Sequence, residues 1–202
     1  HGDIILRRSF TQGRTWAPWQ LVFSPSSFYA PHVFAVQTGT VLDKTTGRIH
    51  AVMAANNSMM LVTSSRDHGA SWALAKDITA TSKPPGYGWI APISNGIQLK
   101  SGRLAICADH IKGQWSAYPI THTVSSMIYS DDHGATWTDP RPARSGDDGK
   151  ASIGLGTSLA YLGNGSLVFY ETGSVGTGRP SRWFSSDYGQ SWGDPVAIAR
   201  MS

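Results

Sequence analysis

The chain of 202 residues has 22 Gly, 11 Pro and 8 Trp but only 15% charged residues, a balance that suits short strands and many turns and excludes disorder and coiled coil. Its net charge of +4 comes from scattered Lys and Arg with no basic run or stacking motif, which argues against a nucleic-acid partner. No run approaches the roughly 18 apolar residues of a membrane-spanning helix, and the lone Cys107 excludes a disulfide framework.

In chain order, Asp3 to Ser9 reads as a strand, the turn Ser9 to Trp16 follows, and Trp19 to Phe23 returns. His1 opens inside this strand-like pattern without a signal peptide, so the start reads as cut. The next unit is complete, with strands over Val33 to Leu42, Arg48 to Ala54, Met59 to Ser64 and Ala73 to Ile78. Turns at Thr46-Gly47 and Asn56-Asn57 separate them. A third unit runs through Ile93 to Leu99 and Arg103 to Asp109. A long insertion over His110 to Thr123, with Trp115, Tyr118 and His122, precedes its next strand at Ser125 to Ser130. Long loops on a repeat scaffold commonly carry binding. The fourth unit has strands over Leu155 to Leu162, Ser166 to Glu171, Ser181 to Ser185 and Asp194 to Ala199.

One octapeptide punctuates all four units. Ser130 to Trp137 (Ser-Asp-Asp-His-Gly-Ala-Thr-Trp) has imperfect copies at Ser65 to Trp72, Ser185 to Trp192 and Ser9 to Trp16, and the closing tryptophans stand 56, 65 and 55 residues apart. Ser and Asp fold their side chains onto backbone N–H groups, Gly supplies a positive φ, and Trp returns the chain to an apolar layer. Asp67, Asp132 and Asp187 therefore read as turn holders and not as catalytic acids. In the first copy Thr11 replaces the Asp, which predicts a weaker clamp.

The octapeptide resembles the Asp-box, or bacterial neuraminidase repeat, of the sialidase superfamily, where it joins the outer two strands of a propeller blade. The resemblance extends to Asn95 to Leu104, which is similar to the family's third-blade hairpin, and to Ser126 to Gly134, which is similar to its third box. The fold expected is all-β, a β-propeller of sialidase type that is six-bladed when complete. About three and a half four-stranded blades are present: a half blade over 1–24 and blades over 25–80, 81–145 and 146–202. An open arc of this kind leaves strand edges exposed, so the chain reads as part of a larger propeller.

The resemblance implies an exo-α-sialidase that releases a terminal sialic or related acidic sugar from glycoconjugates. An arginine triad would grip the sugar carboxylate, a Glu-polarised Tyr would be the nucleophile, and an Asp would be the acid/base. By the family's pattern only the Glu and the second arginine fall inside this chain. Their positions hold Leu155-Gly156-Thr157-Ser158-Leu159 and Val168-Phe169-Tyr170-Glu171-Thr172, so neither is matched, and Glu171 stands near the arginine position with the opposite charge.

The remaining candidates come from the residues themselves. Asp109, His110 and Glu171 are the candidate catalytic groups, since His serves as a general base near neutral pH. Trp89, Asn95, Trp115 and Tyr170 are candidates for substrate contact, with Tyr87 and Tyr118 as further stacking surfaces. Alternation along a strand sets Tyr170 and Glu171 on opposite faces. No metal-ligand spacing or phosphate loop is present, so no cofactor and no metal are expected. A glycan is the expected partner; the sequence carries no address, and a secreted, periplasmic or lysosomal-type location is the expectation. Two rival functions are a propeller lyase on uronate polysaccharide and a non-catalytic Asp-box module that binds glycan or protein.

Overall fold

A computed structural model describes residues 2–24, 35–56, 58–83, 87–92, 94–112, 123–138, 157–171 and 180–198, which build four antiparallel sheets in chain order. The first has two strands, β1 (Ile4–Leu6) and β2 (Gln20–Phe23). The second is the meander β3 (Ala35–Asp43), β4 (Arg48–Ala55), β5 (Met59–Ser65) and β6 (Lys76–Asp77). A single helical turn, α1 (Thr79–Ser82), follows; it was not expected from the sequence, and its Thr79 N–H donates to Asp77 Oδ1 at 2.8 Å.

The third sheet contains β7 (Tyr87–Pro92), β8 (Ile97–Gln98), β9 (Leu104–Lys112) and β10 (Thr123–Ser130). Here the structure departs from the expectation of one strand over 93–99. Two short strands lie end to end along β9, with Pro92 opposite Ala108 and Ile97 opposite Ala105. Pro92 has no N–H to continue the ladder. The chain bulges instead toward β3, where the Gly96 N–H donates to Thr40 O at 2.6 Å. An added Cβ on Gly96 would stand 2.6 Å from Ala105 O, so the bulge accepts only glycine. The fourth sheet is the meander β11 (Thr157–Gly163), β12 (Ser166–Glu171), β13 (Ser181–Ser185) and β14 (Val196–Ala197). The outermost strands are shorter than expected, and in the third sheet that position is reduced to one bridge between Tyr129 and Thr138. These are successive blades of a propeller, and no closed ring forms among the described residues.

Successive residues of a strand bury their side chains in different layers, because each inner sheet is covered on both faces. Leu104, Ile106 and Ala108 of β9 pack with Val41, Val52 and Met60 of the preceding sheet. Their neighbours Ala105 and Cys107 pack with Leu159, Leu167 and Phe169 of the next. Met53 and Leu61 face the third layer, toward Phe23 of the half blade. Each fully buried Leu, Ile, Met or Phe contributes roughly 1.5–3 kcal/mol, so most of the stabilisation lies between blades.

The four octapeptides make the same turn. In the third, Ser130 Oγ accepts the Gly134 N–H at 2.8 Å and donates to Asp132 Oδ1 at 2.8 Å, while Asp132 accepts the Thr136 N–H at 2.9 Å and Thr136 Oγ1 at 2.6 Å. Burial opposes ionisation of Asp132, but the bonds from Thr136 and Ser130 outweigh it and hold its pKa below the ordinary value. The first copy keeps the clamp with a hydroxyl: Thr11 Oγ1 accepts the Thr15 N–H at 2.8 Å, and Ser9 Oγ accepts the Gly13 N–H at 2.7 Å. The residue before each Gly also has positive φ, at Gln12, His68, His133 and Tyr188. Asp132→Ala is expected to cost about 1–2 kcal/mol and Asp132→Asn, which retains one acceptor, clearly less. Urea-denaturation midpoints of the two variants test the order.

Side chains across the turns stitch each blade to the next. Asp43, fully buried at the end of β3, accepts from Thr46 Oγ1 at 2.6 Å, from Gln98 Nε2 of the next blade at 2.9 Å and from His133 Nδ1 of that blade's octapeptide at 2.9 Å. Burial raises its pKa, but these bonds and one from the Thr45 N–H prevail and hold it at about 2. Arg103 forks onto Asp131 at 2.7 and 2.8 Å, lies 3.9 Å over the Tyr129 ring and donates to Tyr188 O of the following blade at 3.0 Å. Beside Asp43, the buried His50 presses its ring on Gly134 and meets Trp137 edge-on with centroids 5.8 Å apart.

Candidate functional site

The octapeptides follow β5, β10 and β13 directly, so the starts of those strands and the ends of β4, β9 and β12 gather at the opposite end of the sheets. There the apolar layers give way to buried polar groups: Asp109, His110, Ser125, Ser126, Glu171 and Ser181 are all buried. Asp109 continues the face of Cys107 into the layer shared by the third and fourth sheets and accepts a hydrogen bond from Ser125 Oγ at 2.9 Å. Glu171 continues the face of Leu167 and Phe169 into that same layer, opposite Thr157 and Ser181 in register. Two acids from adjacent blades therefore extend one interblade layer.

His110 points the other way, into the layer toward the second sheet. Its Nε2 lies 2.8 Å from Ser126 Oγ, and that hydroxyl donates to Ala108 O at 3.2 Å. The Tyr87 ring stands edge-on to the imidazole at 6.1 Å.

The other candidates are dispersed. Tyr170 is 38% exposed on the outer face of the fourth sheet, away from Glu171 as alternation requires. Asn95 sits on the β7–β8 bulge, where Thr40 Oγ1 donates to its Oδ1 at 3.0 Å. It lines a cavity of about 470 Å³ between the half blade and the second sheet, with Thr38, Thr40 and Trp72. Trp89 pairs with Ile111 in the β7–β9 ladder, and Trp115, Tyr118 and His122 lie outside the described residues. Ser125, Ser126 and Ser181 escaped the sequence reading; the Ser-Ser pair opening an apolar strand was the available signal. Among the described residues no three His, Cys, Asp or Glu side chains cluster as a metal site, and no helix is long and apolar enough to cross a membrane.

Side-by-side antiparallel meanders whose outer strands are joined by Ser-Asp-Gly-Trp clamps define an Asp-box β-propeller. The BNR repeat-like domain matches residues 1–201, and the chain belongs to the sialidase/BNR-repeat superfamily. It is 28% identical over 234 residues to the sialidase of Micromonospora viridifaciens, covering 98% of this chain and 32% of that protein. It is 30% identical over 163 residues to Sialidase-3 of Mus musculus, covering 66% and 37%. The chain thus spans about a third of the length of these curated relatives. A Hadza microbial sialidase superimposes with a TM-score of 0.81 at 21% identity over 96% of this chain and 40% of that one, a likeness of fold.

Proposed function

We propose that the chain is part of a sialidase-like glycoside hydrolase that takes a terminal sialic or related acidic sugar at the strand ends opposite the Asp-boxes. The reading is supported by the gathering of Asp109, His110 and Glu171 at that one end, in a chain of this superfamily. Asp109 is 0% and Glu171 3% exposed. Carboxylates at that depth serve as positioning residues: they fix the strand ends on which the groups that meet the sugar stand.

The test is hydrolysis of a fluorogenic α-sialoside by the whole protein. Sugar release that is inhibited by dehydro-sialic acid is expected, and residues 1–202 alone are expected to release none. Release by residues 1–202 would overturn the second expectation, and an inert whole protein the first. Glu171, standing near the family's second arginine with the opposite charge, favours one other reading, a propeller that binds glycan without turnover. Saturation-transfer NMR contact with a sialylated glycan, with no product formed, would support it; an unsaturated-uronate absorbance on a uronan would point to lyase chemistry.

A further inference from the structure

At the Asp-box end, remote from the acids just described, a cavity of about 150 Å³ opens beside the seam between the second and third blades. Arg48, His50, Thr63, Ser64, Lys76 and Gly134 contribute to its wall. We propose that it binds a small inorganic oxyanion of the sulfate or phosphate class.

Three observations support the assignment. The charged side chains lining the cavity are the cations Arg48 and Lys76, with no carboxylate among the lining residues. Asp43, the carboxylate that acts on His50, accepts hydrogen bonds from Thr45, Thr46, Gln98 and His133 and is not among the lining residues. Secondly, Arg48 Nε and His50 Nε2 are buried without a hydrogen-bond partner among the described residues. His50 is only 1% exposed. An unsatisfied buried polar group costs about 1–3 kcal/mol, and the oxygens of one anion can accept from several donors at once. Thirdly, the volume admits a tetrahedral oxyanion with a water or two, at about 30 Å³ per water. The exposed Leu74 and Lys76 on its rim leave an entry from solvent.

The assignment is independent of the sugar chemistry proposed for the other end. The burial and the Arg48 charge that hold the His50 pKa at about 4 supply a reporter, since a bound anion raises it. The experiment titrates the protein with sodium sulfate at constant ionic strength, balanced with sodium gluconate, and follows the His50 ring resonances by NMR. A saturable shift is expected, with the His50 titration midpoint moving upward. Arg48→Met and Lys76→Met are each expected to weaken sulfate about tenfold, as loss of a charge-assisted bond does. Lys76 is exposed, so its variant decides the matter if Arg48→Met does not fold. A shift linear in sulfate, as general salting produces, or one unchanged in Lys76→Met, would overturn the proposal and leave the cavity to water.

Discussion

Gly134→Ala is expected to lower the stability of the chain by about 4 kcal/mol. Two costs add. The residue has φ +81°, where a Cβ costs about 1–2 kcal/mol. The added carbon would also lie 2.1 Å from Cε1 of His50, and overpacking of that kind costs typically about 1–3 kcal/mol. Trp137 also meets the His50 ring edge-on, with centroids 5.8 Å apart. The first octapeptide contains its own control: Gly13 has φ +84° but nothing within 4 Å of an added Cβ. Gly13→Ala is therefore expected to cost only the backbone share, about 1–2 kcal/mol. Guanidinium unfolding of both variants, and of Gly134→Ala on a His50→Ala background, separates the terms. If the penalty at Gly134 stays undiminished when His50 is removed, the steric account fails.

Acidification from pH 6.5 to 4 is expected to remove about 3 kcal/mol of stability through His50 alone. Burial, with the neighbouring Arg48 charge adding, lowers its pKa from the ordinary 6.5 to about 4. Its folded pKa is depressed, so the unfolded chain binds the proton first. The contribution is whole above pH 6.5 and is lost as the pH falls toward 4. The other groups that act on the ring are Asp43, which favours the proton, and His133, which opposes it. Asp43 stays ionised throughout this window, because its own pKa is about 2. Its contribution is present above its ordinary value of 3.8 and is lost only as the pH falls toward 2. Denaturation free energies measured every half unit should trace two descents. His50→Phe should flatten the upper one and leave the lower; an unchanged upper slope would refute the assignment.

What could be read before the fold was known was local. Ser, Asp and Gly within eight residues find their partners in the same turn, so the four octapeptides and the blade count followed from spacing. Thr11 could be foreseen as a substitute clamp for the same reason. Strand faces were harder to assign than strand limits: Arg48 to Ala54 was set to within one residue, but Arg48 to Ala55 carries no polar alternation to mark its faces. β7 was missed because the third unit was begun at Ile93; Pro92 stands where the ladder is interrupted.

The site was legible as residue types and not as partners. Asp109 and His110 stood out as a polar pair, but their parting into two layers needs a sheet covered on both sides. Their serines come from β10, paired with β9 in a register that the sequence pattern does not reveal. Asn95 looked free to bind because its partner Thr40 is 55 residues away. The contact of His50 with Gly134 spans a greater distance still and leaves no local mark.

The position before the glycine of each octapeptide has a consequence for how such chains diversify. Its backbone is the same in all four turns, with φ between 55 and 61°, yet the side chain differs: Gln12, His68, His133 and Tyr188. His133 meets a carboxylate of the blade before it, and Tyr188 lies against Gly165 of its own blade while offering its carbonyl to Arg103 of the blade before. The clamp is therefore a common backbone module that leaves one position per turn free to vary, and in the third turn that position's side chain joins two blades.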